Sequence, residues 1–137
     1  MGRIIAIDFG LKRTGLAWTD PLKIISTGIG TVETGTLLEK LKSLVKNESI
    51  ERFVLGMPSL LGKQETDTSE PIRVLKAKME QEWPEIPVDF WDESHSSVNA
   101  KKAMLAGGLS KTKRKNKSLI DEVAATLILQ DYMNFRL

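Results

Sequence analysis

Residues 3–9 read Arg-Ile-Ile-Ala-Ile-Asp-Phe, an apolar run that does not alternate with polar residues. A strand of that composition has to be covered on both faces, so it belongs in the middle of a sheet flanked by helices. Asp8 closes the run, and Gly10 with Lys12-Arg13-Thr14-Gly15 supplies a turn. Residues 15–20 (Gly-Leu-Ala-Trp-Thr-Asp) suit a second strand hairpinned onto the first. After the Asp20-Pro21 break, Ile24 to Val32 reads as a third strand, with glycines at 28 and 30 that imply a bulge or bend.

Downstream the period changes. Leu37, Leu38, Leu41, Leu44 and Val45 lie at helical spacing within residues 36–47. Residues 51–57 form a fourth strand stopped by Pro58, and the polar stretch 59–70 reads as a loop. A helix is predicted from Pro71 to Trp83, then a short strand Val88-Asp89-Phe90-Trp91 ending in Asp92-Glu93. Residues 97–106 suit another helix, ended by Gly107-Gly108. From Ser118 to about Phe135 a last helix is expected to bury Leu119, Ile120, Val123, Ala124, Leu127 and Ile128.

Three strands in hairpin order, then helix–strand–helix–strand–helix, predict an α/β fold with a mixed five-stranded sheet. The expected strand order is 3-2-1-4-5, with the second strand antiparallel and helices flanking, which is the ribonuclease H-like arrangement. No repeat or linker interrupts the pattern, so residues 1–137 are expected to form a single domain.

The absence of cysteine excludes disulfides, thiolate metal sites and cysteine nucleophiles, and fits a reducing compartment. The first apolar run meets Asp8 too soon for a signal peptide, and no later stretch approaches a membrane span. A cytoplasmic protein with no membrane partner is expected. The net charge of +2 is uneven: residues 111–117 carry five positive charges and no negative one, leaving the remainder net negative. A loop of that kind suits phosphate contact, although a solvated turn would look similar. Lys113, Arg114 and Lys117 in it, with Lys12 and Arg13 in the turn after Asp8, are the candidate contacts to a nucleic-acid backbone.

Three acids stand at chemically informative places. Asp8 ends the most apolar strand, where a carboxylate is costly unless cations or donors meet it. Glu93 follows the fifth strand, and Asp121 lies in the first turn of the predicted last helix. Each has a plain alternative: a turn former, a solvent-facing residue before a cap at Ser96 or Ser97, and a helix-dipole partner. Together they would make the hard-oxygen site that Mg²⁺ or Mn²⁺ needs, in a two-ion arrangement with the metals about 4 Å apart. Gly56, on the intervening strand, has no side chain to block a path from Glu93 to Asp8. Glu122, about 100° round the helix from Asp121, is expected in solvent. His95 could shuttle a proton, although lone histidines near a helix start usually do not. Trp18, Trp83, Trp91 and Tyr132 could stack on unpaired bases, but all lie inside predicted elements and read as core.

These residues resemble a known family. Ile7-Asp8-Phe9-Gly10 with Gly15, Val54-Leu55-Gly56-Met57-Pro58, Asp92-Glu93, and Lys117 followed by Asp121-Glu122-Val123-Ala124-Ala125 and Ile128-Leu129-Gln130-Asp131-Tyr132 are similar to the YqgF/RuvX family over nearly the whole chain. The family is ribonuclease H-like and is described both as Holliday junction resolvases and as nucleases that mature the 5′ end of pre-16S ribosomal RNA. The resemblance implies a metal-dependent endonuclease with Asp8, Glu93 and Asp121 as its acidic triad. It also implies work in ribosome biogenesis on an rRNA precursor or a pre-ribosomal particle, with branched DNA as the alternative substrate. A further alternative is a non-catalytic RNA- or ribosome-binding module. The chain departs from the family at Ser94, where arginine is usual, and in the segment after Pro58, so no role is carried to those positions. Asp8-Phe9-Gly10 with Gly15 also resembles the phosphate loop of sugar-kinase and actin-like ATPases, but those close two such domains over ATP.

Overall fold

The non-alternating run at the start of the chain is the central strand of the sheet. In a computed structural model the elements are β1 (Arg3–Asp8), β2 (Arg13–Thr19), β3 (Ser26–Glu33), a 3₁₀ turn (Thr34–Thr36), α1 (Leu37–Asn47), β4 (Ile50–Met57), α2 (Ser69–Glu82), β5 (Val88–Asp92) and α3 (Lys113–Arg136). The structure describes residues 2–57, 69–92 and 113–136, with the side chains of 113–121 and 136 outside that description. The predicted helix at 97–106 lies outside it too.

The sheet runs β3-β2-β1-β4-β5. β2 is antiparallel to both β1 and β3, while β1, β4 and β5 are mutually parallel. This is the order and polarity expected for a ribonuclease H-like sheet. The two faces of the sheet differ in kind. Ile5, Ile7, Leu16, Phe53, Leu55 and Met57 are large and pack under α1 and α2 with Leu37, Leu41, Ile72 and Met79. Ile4, Ala6, Ala17 and Val54 face α3, where Ala125, Ile128, Leu129, Tyr132 and Met133 complete a second core. Successive residues of a strand alternate between faces, so the central strand serves both cores.

The glycines of β3 do introduce a bulge. Leu16 pairs with Gly30 and Ala17 with Gly28, which leaves Ile29 as the extra residue, and Gly30 takes a φ of 115°. Its start differs from expectation. Ile24 and Ile25 are exposed and precede the strand. They are held in a loop because the Asp20 carboxylate accepts hydrogen bonds from the backbone N–H groups of Leu22, Ile24 and Ile25, at 3.1, 2.7 and 2.7 Å. These bonds, that from Ile25 foremost, hold the Asp20 carboxyl below its ordinary pKa. Lys23 sits in the left-handed region at φ 59°, and its ammonium reaches Glu51 at 3.0 Å.

Two helices also start earlier than their sequence suggests. α2 begins at Ser69 rather than Pro71. α3 begins at Lys113 rather than Ser118, so residues 113–117 of the basic segment are helical rather than a loop. Asp121 consequently lies in the third turn of α3, and the helix-dipole explanation for an acid there falls away. Among the described residues, no helix is long and apolar enough to cross a membrane.

Candidate active site

Asp8 is the last residue of β1 and is only 7% exposed. It shares the parity of Ile4 and Ala6, so it belongs to the face that α3 covers. Its partner on β2 is Gly15, which in turn pairs with Thr31 on β3. On the other side, the register continued one residue past the Ile7–Leu55 pair brings Asp8 level with Gly56, and Gly56 pairs with Trp91. The row across the sheet therefore reads Thr31, Gly15, Asp8, Gly56, Trp91. Asp8 is flanked on both sides by residues without side chains, and the indole of Trp91 stands two strand spacings away, about 10 Å.

This small-residue surface explains how α3 sits. Ala6 and Ala17 let a helix come close, and α3 meets them with Ala125, fully buried like its neighbour Ala124. The predicted burial stripe was displaced by a fraction of a turn. Ala124 and Ile128 are buried as expected, but Val123 and Leu127 are only half-buried, and Leu129, Tyr132 and Met133 lie inside instead. Leu119 and Ile120 fall outside the described side chains. α3 is stitched to β3 where the Ser26 hydroxyl donates to the Thr126 carbonyl at 3.0 Å. Glu122 is half-buried rather than solvated: its side chain lies against Gly28, where a Cβ would come within 2.6 Å of the Glu122 Cγ.

The candidate residues are distributed as follows. Asp8 is placed with its side chain. Asp121 is placed by its backbone on α3, one helical turn before Ala124 and Ala125. Glu93 and His95 lie outside the described residues. Among the described residues, no group of three or more histidines, cysteines or acids could hold a metal ion. Lys12 is exposed in the turn beyond Asp8, and Arg13 is half-buried at the start of β2, opposite Glu33. Lys113, Arg114 and Lys117 are in the first turns of α3, with their side chains outside the description.

Two further acids near the site are placed otherwise. Asp89 accepts hydrogen bonds from Arg52 Nη1 at 2.7 Å and from the Tyr132 hydroxyl at 2.8 Å, tying β4, β5 and α3 together. Asp92 is 4% exposed and has the parity of Val88 and Phe90, so it belongs to the face opposite Asp8. Of the four aromatic candidates, Trp83 and Tyr132 are buried as expected. Trp18 is half-buried with the Arg3 guanidinium 4.0 Å from its ring centroid. Trp91 is half-buried, and its indole N–H is buried without a hydrogen-bond partner among the described residues.

The turn after Asp8 is fixed from the 3₁₀ turn that follows β3. The Thr34 hydroxyl donates to the Gly10 carbonyl at 2.6 Å, and the Thr34 N–H donates to the Lys12 carbonyl at 3.0 Å. A Cβ on Gly10 would run into the backbone carbonyl oxygen of Arg13. Gly10→Ala is therefore expected to lower stability by about 1–3 kcal/mol, the usual cost of forced overpacking, and to displace Asp8 and Lys12. Thermal melting and the cleavage assay below should both register it; a variant with unchanged melting would show that the turn gives way freely.

The comparisons with known proteins converge on one group. A family model described as "RuvX: Holliday junction resolvase" matches residues 2–135. The chain belongs to the RuvX family. Family members that resemble it include two proteins named "Putative pre-16S rRNA nuclease". One, from Porphyromonas gingivalis, is 48% identical over 98% of this chain and 97% of its own. The other, from Phocaeicola vulgatus, is 46% identical over 97% and 96%. Among solved structures, RuvC of T. thermophilus in complex with a Holliday junction substrate aligns with a TM-score of 0.55 at 18% identity, covering 99% of this chain and 97% of that one. The Holliday junction resolvase of fowlpox virus aligns at 0.54 and 13% identity, covering 96% and 98%. At those identities the likeness establishes the ribonuclease H-like fold, while membership of RuvX makes this a nuclease of the phosphodiester-hydrolysing class.

Proposed function

We propose that this RuvX chain is a divalent-metal-dependent endonuclease that matures the 5′ end of pre-16S ribosomal RNA in the cytoplasm, with Asp8, Glu93 and Asp121 as metal ligands. The row Gly15–Asp8–Gly56 carries the reading. It sets a nearly buried carboxylate at the carboxyl end of the central strand, with no side chain on either neighbour in the row. A charge so placed needs cations or donors around it, and carboxylate oxygens are the donors that Mg²⁺ and Mn²⁺ prefer.

The parity of β5 supports Glu93 over Asp92 as the second acid, because Asp92 belongs to the other face. The buried stripe of α3, followed back one turn from Ala124 and Ala125, supports Asp121 as the third. Bound divalent ions would supply charge neutralisation at the scissile phosphate. The acids hold them, Asp8 from the rigid sheet and Asp121 from the helix docked upon it. Lys12 and Arg13, at the rim beyond Asp8, contact the flanking phosphates, and Lys113, Arg114 and Lys117 continue that basic track along the start of α3. The names carried by the relatives favour a ribosomal precursor, and the family description favours a four-way junction as the second reading.

The two separate in one assay. Purified full-length chain is given a 5′-extended 16S transcript or a four-way DNA junction, with Mg²⁺, with Mn²⁺ and with chelator. Metal-dependent cuts within the 5′ extension are expected, with the junction left intact. Symmetric junction cuts with an intact transcript would move the assignment to resolvase. Salt-dependent RNA binding without metal-stimulated cleavage of either substrate would make the chain a binding module.

A further inference from the structure

We propose that Phe135 and Trp91 form a stacking platform for an unpaired base of the substrate strand, beside the Asp8 site; the proposal rests on the nuclease reading above. Phe135 is 71% exposed near the end of α3, the most exposed large apolar side chain among the described residues. It is not loose. Its ring lies against Trp91 with centroids 5.7 Å apart and planes 32° apart. Trp91 meets Tyr132 edge-to-face at 6.0 Å and 82°. Tyr132 is 3% exposed and anchored through its hydroxyl to Asp89, which Arg52 also grips. An aromatic ladder thus runs from the buried core to solvent, and each inner ring fixes the next.

Its position connects it to the chemistry. Trp91 is in the same row and on the same face as Asp8, and the residue between them is Gly56, which puts no side chain across the gap. A strand whose phosphate sits at Asp8 would carry its bases toward β5 or toward β3. Toward β3 the row offers Gly15 and Thr31; only toward β5 does it offer an aromatic surface. A phenyl face held by two fixed rings suits base stacking, which tolerates any sequence and loses little entropy when the ring is already ordered.

The test uses metal-free binding of a short fluorescein-labelled oligoadenylate to the full chain in chelator. Phe135→Ala and Phe135→Leu are each expected to weaken binding about tenfold, the lower range for losing one stacked base, while Phe135→Tyr binds like wild type. The slope of affinity against salt should stay the same in all of them, since no phosphate contact is lost. Wild-type binding should also weaken about tenfold when a single base in the probe is replaced by an abasic site at the stacked position. A Phe135→Leu chain that melts and binds like wild type would overturn the platform, because leucine keeps the apolar cover and removes the ring. If wild type cleaves its substrate while Phe135→Leu binds normally, the platform alone is wrong. If wild type neither binds nor cleaves, the nuclease reading fails with it.

Discussion

Asp8→Ala is expected to lower metal-stimulated cleavage by at least about a thousandfold. A ligand at the centre of a divalent-metal site contributes several kcal/mol of charge stabilisation, and each 1.36 kcal/mol is a factor of about ten in rate. Asp8→Asn keeps the size and one carbonyl oxygen but loses the charge, so it should fall nearly as far. Neither variant should unfold the protein. Removing the buried carboxylate relieves a desolvation cost but also removes the contact that Asp8 makes in the fold, so melting in chelator should shift little. Added Mn²⁺ should raise the melting temperature of wild type, by mass action on the folded state, and leave Asp8→Ala where it was. This second readout separates a lost metal site from a damaged fold. Cleavage by Asp8→Ala at the wild-type rate would end the mechanism.

Phe53→Ala should be the most damaging single change to stability. Phe53 is fully buried on β4, on the face under α1 and α2, with its ring centroid 5.3 Å from that of Trp83. Its backbone N–H donates to the Pro87 carbonyl at 2.9 Å, fixing the entry to β5. Truncating a buried phenyl ring costs about 3–5 kcal/mol from lost transfer energy and the cavity left behind. Small domains have about 5–15 kcal/mol in all, so the variant should be partly unfolded or close to it at 37 °C. Urea denaturation should show a lower midpoint with an unchanged slope. A loss below about 1 kcal/mol would mean that the core refills the space, against the packing described for β4 and Trp83.

The strand order was readable because it depends on period and polarity, which the sequence shows directly. The non-alternating run before Asp8, the two hairpins, and the helix–strand alternation after residue 36 leave few topologies once crossovers are right-handed. The β3 bulge was legible from Gly28 and Gly30 for a similar reason, since both glycines occupy positions where the register shifts. What stayed hidden depended on what each face meets. α3 carries apolar residues around most of its circumference, so periodicity could not say that Ala124 and Ala125, rather than Val123, are the fully buried pair. The answer lies in Ala6 and Ala17, small residues against which Ala125 packs. Ile24 and Ile25 looked like strand because their side chains favour it; three backbone bonds to Asp20 override that preference. The start of α3 was placed too late because a run of like charges resembles a loop. Asp8, and Gly56 on the strand beside it, could be singled out from sequence, but Gly15 on its other side, and Trp91 at the end of the same row, became visible only when the register joined residues 8, 15, 56 and 91.

The seam between Ser26 and Thr126 spans a hundred residues of chain. It has a temporal meaning. The meander β1–β2–β3 can pair soon after it is made, yet the face bearing Asp8 stays uncovered until residues beyond 120 are available to dock. A ribosome still translating the middle of this message would therefore hold a sheet with one acid in place and no helix to bring another. A protein whose proposed substrate is made into ribosomes would thus complete its proposed site only late in its own synthesis.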